Sequence, residues 1–413
     1  MNLQENFLKN SKVFNELKLR ASYGQTGNQE GIRLYDYIQL LKFRDDGWGT
    51  KLIYPFGNGS QSQAMGLDVL AGVDRTWEIL ENVNVGVDAA FLDSRLGFSF
   101  DYFVKMNNNM LIPVTYPSML GAEAPYSNSG KLRTNGFELT LNWTDKIGNV
   151  EYSAQFQLTD AVNKLVEYGG ADTYKLGLNE TREGYPMNSY FAYVYDGVIK
   201  DQADLDAYKK LEGVPSNIGI GDAKFKDLNG DGKISTYGDK DGDDGDAEYV
   251  GSTTPRYSFG LNLGAKWNNF DISVFFQGVA KRTLFREGDF AMPWSDWWRY
   301  PPQFYYGQTW NEDRPDAYYP RLTHGEIRHW NYQASTLQKI NAAYIRLKNI
   351  QIGYTLPKGA LQKLGIERTR FYVSGQDLFE IHNVKGGWDP ESDKAGFNYP
   401  FQRYYSFGID LTF

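Results

Sequence analysis

A net charge of -8, from 43 Lys plus Arg against 51 Asp plus Glu in 413 residues, argues against a nucleic-acid-binding surface and leaves acidic, cation-binding loops open. Cysteine is absent, which excludes a disulfide framework, a thiolate metal site and a cysteine nucleophile. Mean hydropathy is -0.54 and no apolar run reaches the length of a helical membrane span, yet a β-barrel hides its lipid face in alternation and gives the same weak signal.

Taken in order, Leu17, Leu19, Ala21 and Tyr23 alternate with Lys18, Arg20 and Ser22, a strand that enters a loop at Gly24 to Asn28. From there to about Glu81 the pattern is poor, with room for one further hairpin. Val83, Val85, Val87, Ala89 and Phe91 form the next strand, Asp93-Ser94 turn it, and Leu96, Phe98, Phe100, Tyr102 and Val104 return. A loop rich in Asn, Pro and Gly is expected over Asn107 to Asn135. Phe137, Leu139, Leu141 and Trp143 follow, then a short turn near Asp145 to Asn149, then Tyr152, Ala154, Phe156 and Leu158. Residues 160–254 lack sustained period and read as a long loop with one short helix near Asp204 to Leu211.

Tyr257 to Gly278 carries the clearest pattern. Tyr257, Phe259, Leu261, Leu263, Ala265 and Trp267 alternate with polar residues and glycine, Asn268-Asn269 supply a tight turn, and Phe270, Ile272, Val274 and Phe276 resume the period. Soluble strands are usually about five or six residues long, whereas a barrel crossing needs about nine to eleven, so the length of these arms favours a barrel. Residues 281–341 read as a second long loop, and Tyr344 to Leu356 as a strand whose alternation slips at Lys348-Asn349, as a bulge would cause. Phe371 to Leu378 and Tyr405 to Phe413 complete about ten strands, alternating short turns with long loops. The fold class is therefore all-β, a transmembrane antiparallel β-barrel present in part, with apolar side chains toward lipid and polar ones toward the lumen.

Two stretches carry candidate chemistry. Asp227, Asn229, Asp231 and Gly232 match the first half of an EF-hand-type loop, D-x-N-x-D-G, with Lys233 offering its carbonyl; hard oxygens at every second position can converge on one calcium ion. The position of the closing bidentate acid is Gly238, with Asp239 one residue later, so residues 227–239 are a structural calcium loop or a solvated acidic turn. The second stretch gathers Trp294, Trp297, Trp298, Tyr300, Tyr305 and Tyr306 on a loop, where exposed rings stack on a carbohydrate or peptide or pack against neighbouring loops, with Arg299, Arg314 and Arg321 nearby. His324, Glu326 and His329 fit no metal motif and read as a solvated loop. No nucleophile elbow or Ser/His/Asp context supports an enzyme. A secreted, calcium-stabilised β-sandwich adhesin or carbohydrate-binding protein would use the same loops.

The sequence also resembles the SusC/RagA-type TonB-dependent transporters of the Bacteroidetes outer membrane. The resemblance is carried by LKLRASYGQTGN from Leu17, WEILENVNVGVDAAFLDSRLGFSFDYFVK from Trp77, GKLRTNGFELTLN from Gly130 and GDAKFKDLNGDGKI from Gly221. It continues through Gly251 to Phe276, YIRLKNIQIGYTLP from Tyr344 and FYVSGQDLF from Phe371, closing on Phe413. It implies a 22-stranded barrel of which this chain is the C-terminal half. It further implies a SusD-like surface lipoprotein as partner, contact with TonB through a preceding plug-bearing part, a glycan or peptide substrate, and an assembly signal at Phe413.

Overall fold

The computed structural model describes residues 14–32, 34, 35, 37–43, 53–57, 61–67, 69–72, 74–113, 125–169, 176–179, 182–236, 245–293, 301–357, 365–392, 395, 396, 398, 399 and 401–413. Ten strands form one antiparallel sheet: β1 Phe14–Asn28, β2 Glu78–Phe91, β3 Leu96–Pro113, β4 Tyr126–Ile147, β5 Val150–Tyr168, β6 Arg256–Trp267, β7 Phe270–Lys281, β8 Tyr344–Thr355, β9 Arg368–His382 and β10 Tyr404–Thr412. Each pairs with its successor in this series, and β1 and β10 are the two edges. The described sheet is a barrel wall present in part.

Register turns ten alternating sequences into two faces. One transverse row runs Ala89, Phe98, Leu141, Phe156, Leu261, Phe276, Leu347 and Phe379, paired neighbour to neighbour from β2 to β9. The adjacent row runs Asp88, Ser99, Thr140, Gln157, Gly260, Gln277, Arg346 and Glu380. A shift of one residue therefore moves from an entirely apolar row to one of polar residues and glycine, as the period-two side-chain geometry requires. The apolar face is left open: Trp267, Phe270, Ile352, Val373, Phe407 and Ile409 are all exposed. A sandwich would bury this face beneath a second sheet, but the other described sheets are two- or three-stranded and stand among the loops. No described helix is long and apolar enough to cross a membrane, which leaves crossing by strands unaffected.

The polar face is closed by ion pairs. Arg20 reaches Asp88 at 2.9 Å and Asp101 at 2.7 Å, and Arg370 reaches Asp271 at 2.6 Å and Asp410 at 3.2 Å. Arg346, 1% exposed, meets Asp389 at 2.9 Å and Glu391 at 3.0 Å, and Phe401 lies over its guanidinium. The segment between β9 and β10 is thereby held against the wall.

The short turns match the sequence expectation. Asn268 takes a φ of 51° between β6 and β7, and Leu92, Asp93 and Ser94 all have positive φ between β2 and β3. The bulge at Lys348 is present as a register shift between Leu347 and Asn349 against β9. The expected loop from Asn107 to Asn135 is corrected: β3 continues to Pro113 and β4 begins at Tyr126. Strand β5 likewise runs to Tyr168, beyond the expected limit near Asp160. These strands have 18, 22 and 19 residues, more than about eleven needed to cross lipid, and their outer ends have no apolar solvent to face. Alternation fades there although the hydrogen-bond ladder does not. Between β1 and β2, residues 41–43 pair with 65–67 and 53–55 with 61–63.

The two intervals expected as separate irregular loops, before β6 and before β8, fold into one layer with its own core. Tyr193, Ile199, Leu205, Tyr208, Ala223, Phe225 and Ile234 from the first pack with Ile327 and Trp330 from the second. Helix α1, Gln202–Tyr208, lies close to the predicted position and is capped by Asp201, whose side chain accepts from the Asp204 N–H at 2.9 Å. Helix α2, Gly325–Asn331, supplies the second interval's share of the core. The join between intervals is polar and buried. Asp222, 0% exposed, accepts both arms of Arg321 at 2.6 and 2.7 Å, the Asn331 amide at 2.9 Å and the Gly219 N–H at 2.7 Å. Asn331 in turn accepts from the Ala223 N–H, and the Trp330 indole donates to the Ala223 carbonyl.

Candidate functional site

The loop layer carries both sequence candidates. Of the aromatic set, Trp294, Trp297, Trp298 and Tyr300 lie outside the described residues, as does Arg299. The remaining two part company. Tyr306 is 89% exposed, whereas Tyr305 is 1% exposed and belongs to a core with Tyr319, Tyr332 and Leu337. Its ring meets Phe304, Tyr319 and Tyr332 edge-on, and its hydroxyl donates to the Phe290 carbonyl at 2.5 Å. The expectation of an exposed stacking ring holds for Tyr306 and not for Tyr305, because neighbouring aromatics supply Tyr305 with a better apolar surface than water does. Tyr306, with Pro301, Pro302, Arg314 and Leu322, borders an open cavity of about 830 Å³. A ring face, an aliphatic side chain and a guanidinium at one opening suit a ligand with apolar faces and hydroxyl or carbonyl edges. Arg321 is committed to Asp222 and is a structural residue.

The acidic loop is built from its own turns. Asp227 accepts the N–H groups of Gly230 at 2.7 Å and Gly232 at 2.9 Å, and Asp231 accepts the Lys233 N–H at 2.8 Å. Asn229 donates to Asp231 at 3.0 Å, while Asp227 is held by the loop's own backbone amides. Gly230 and Gly232 have φ of 73° and 80°, conformations that a side chain would strain. The loop is pinned to the core by Ile234, 4% exposed, and by the Glu212 carbonyl, which accepts the Ile234 N–H at 2.8 Å. Asp239 lies outside the described residues.

Sequence reasoning missed Asp246. This carboxylate is 1% exposed and closes the base of the loop, accepting the Leu228 N–H at 2.7 Å and the Ser235 N–H at 2.9 Å. Burial pushes its pKa above the ordinary carboxylate value; the two amides oppose the shift, and the nearby charges of Asp227 and Asp231 add to it. Asp246 lies eight residues beyond Gly238, the template position for a closing acid, so a fixed-spacing motif does not reach it. Its one sequence signal is its place directly before the strand Ala247–Ser252. Among the described residues no three His, Asp or Glu side chains converge closely enough to form a metal cage. The donors are nonetheless all hard oxygens, the chemistry calcium selects.

No family model matches the sequence. Over 99% of its length the chain is 27% identical to TonB-dependent receptor P3 of Formosa agariphila, covering 40% of that protein. It is 24% identical to TonB-dependent receptor SusC of Bacteroides thetaiotaomicron, again over 99% of the chain and covering 39% of the relative. The solved RagAB peptide transporter superposes on the whole chain with a TM-score of 0.74 at 23% identity, 42% of that structure being covered, which establishes the shared fold. The chain thus spans about two fifths of the proteins it matches, all of them named as receptors or transporters. Near-complete coverage by these receptors, the shared fold and the two-faced ten-stranded wall together show that the chain is similar to TonB-dependent receptors, SusC among them, and has the fold of part of an outer-membrane β-barrel.

Proposed function

We propose that this chain forms part of the wall and the outer mouth of a transporter that imports glycans or peptides together with a SusD-like surface lipoprotein, energised by TonB through other parts of the full-length receptor. The observation that carries the reading is the pair of adjacent rows, one apolar and open, one polar and ion-paired, which make a lipid face and a lumen face from a single sheet. The loop layer stands at the long-loop end of that wall, where a lid protein would dock, and Tyr306 and Arg314 offer an exposed ligand-contacting surface there.

In this reading the acidic loop takes one structural calcium ion. Asp227, Asn229, Asp231 and the Lys233 carbonyl form its near side, and Asp246 supplies a closing acid in addition to Asp239. The like charges of Asp227 and Asp231 near the buried Asp246 carboxylate favour a divalent cation, and magnesium, which needs a tighter octahedron and keeps more water, fits less well. Binding exchanges some of the contacts these oxygens make with loop amides for contacts with the ion.

The test is uptake by cells carrying the full-length receptor, compared with a deletion strain, using labelled oligosaccharide and peptide pools and recovery of co-purifying surface lipoproteins. Receptor-dependent uptake of one pool with a lipoprotein partner is expected. Equal uptake of both pools with and without the receptor overturns the proposal.

A further inference from the structure

A partly open cavity of about 260 Å³ lies where β5 and the ends of β6 and β7 meet the strand Ala247–Ser252, lined by none of the residues of the aromatic opening or the acidic loop. Arg256, Lys281, Arg282 and Lys339 line it, and none of its described lining residues is acidic. Two of these cations are engaged. Arg256 forks onto Asp160 at 2.5 Å through both arms, and Arg282 donates to the Pro390 carbonyl at 2.6 Å. Lys281 and Lys339 form no ion pair with any described residue.

The neutral lining is polar as well. Thr283 is buried at the cavity, and opposite it stands Gly251, where an added Cβ would lie 2.9 Å from the Thr283 hydroxyl oxygen. The missing side chain leaves room beside that hydroxyl. Asn163 also lines the space; its Oδ1 accepts the Met187 N–H at 2.7 Å, which leaves its amide hydrogens as donors. Positive charge gathered around a partly enclosed space attracts a counter-ion, and several donors around one volume match a group with several acceptor oxygens.

We propose that this cavity is an oxyanion site that receives a single sulfate or phosphate group, with Lys281 and Lys339 as its charged arms and Thr283 as a neutral donor. The assignment does not depend on what the receptor transports. A sulfate or phosphate can arrive as a dissolved ion, as an ester on a sugar or as a lipid headgroup, and the three are distinguishable.

The experiment uses the full-length receptor in non-ionic detergent at low ionic strength. Binding of sodium sulfate, sodium phosphate and glucose 6-sulfate is measured by calorimetry against sodium chloride of equal ionic strength, and the lipid arm uses nanodiscs with and without phosphatidic acid. Saturable binding in at least one arm is expected, with Lys281→Ala plus Lys339→Ala weakening it by about tenfold or more and Lys281→Arg plus Lys339→Arg holding it within about threefold. Binding from solution assigns a soluble ion or ester, and binding in the nanodisc arm alone assigns a lipid headgroup; both uphold the oxyanion site. If the alanine pair fails to assemble, Thr283→Val is the deciding variant, expected to weaken binding by about threefold. Absence of binding above the chloride control in every arm, or binding that neither the alanine pair nor Thr283→Val reduces, overturns the proposal.

Discussion

Replacing Asp222 by alanine should open the loop layer without disturbing the wall. The carboxylate is fully buried and joins residues from both intervals: Arg321 at 2.6 and 2.7 Å, Asn331 at 2.9 Å and the Gly219 N–H at 2.7 Å. Breaking a buried ion pair from one side costs about 3–5 kcal/mol, because the remaining partner stays desolvated. Arg321 is 36% exposed and recovers part of its hydration, so the cost here is reduced to about 2–4 kcal/mol. At about 1.4 kcal/mol per decade, the open population rises by roughly thirtyfold to a thousandfold. The assay is native-state proteolysis of the full-length receptor in detergent, read at residues 189–225 and 321–337, alongside heat-modified gel migration as a report on the barrel. Cleavage should accelerate within that range while migration stays unchanged. Arg321→Lys, which keeps the charge and loses the fork, should give a smaller acceleration in the same segments. A cleavage rate within about threefold of the parent for Asp222→Ala, or strictly additive effects of Asp222→Ala and Arg321→Ala, would refute the inference that this pair couples the two intervals.

Asp227→Ala with Asp231→Ala should abolish calcium retention by the full-length receptor and speed proteolysis near residues 226–236, and Asp246→Asn should do the same; metal content unchanged by chelator and by all three substitutions returns the loop to a solvated turn. Burial alone would raise the Asp204 carboxyl, but the Lys224 ammonium at 2.8 Å and the Lys200 amide hold it below its ordinary value of 3.8. A depressed folded-state value stabilises α1 at pH above 3.8, and that contribution is lost as pH falls through the lowered value, so acid-induced cleavage at α1 should shift upward in pH for Lys224→Met. Tyr305→Ala should destabilise the layer by about 3–5 kcal/mol in the same proteolysis assay. Tyr306→Ala should leave that assay unchanged and lower ligand binding instead; equal destabilisation by both would contradict the division between core and surface.

The wall was legible because lipid imposes one period on every crossing: Phe259, Leu261 and Leu263 announce β6, and their partners Leu158, Phe156 and Ala154 announce β5 by the same rule. The outer reach of β4, from Tyr126 to about Asn135, was not, since neither of its faces meets lipid there and Ser127, Asn128, Lys131 and Arg133 carry no period. The joined loop layer was hidden for a different reason. Asp222 and Arg321 are 99 residues apart, and local pattern has nothing to say about a partner at that distance. In the candidate sites, the spacing of Asp227, Asn229 and Asp231 revealed a turn, but Asp246 required coordinates, and the burial of Tyr305 beside the exposure of Tyr306 depended on which neighbours the fold delivers.

The two-residue connection between β6 and β7 has a bearing on how such a chain can vary. Asn268-Asn269 sets which residue of one strand faces which of the next, and because the two rows differ by a single step, a slip there would exchange lipid-facing for lumen-facing side chains along both arms. That end of the molecule works as an index and has little slack. The opposite end has ample slack, as the spacer from Ser235 to Asp246 shows: the carboxylate still returns to the loop base although the intervening chain is longer than the motif template allows. Insertions and deletions should therefore accumulate at the mouth and be purged from the short turns, so that relatives of this chain diversify their contacts with the outside while keeping one wall.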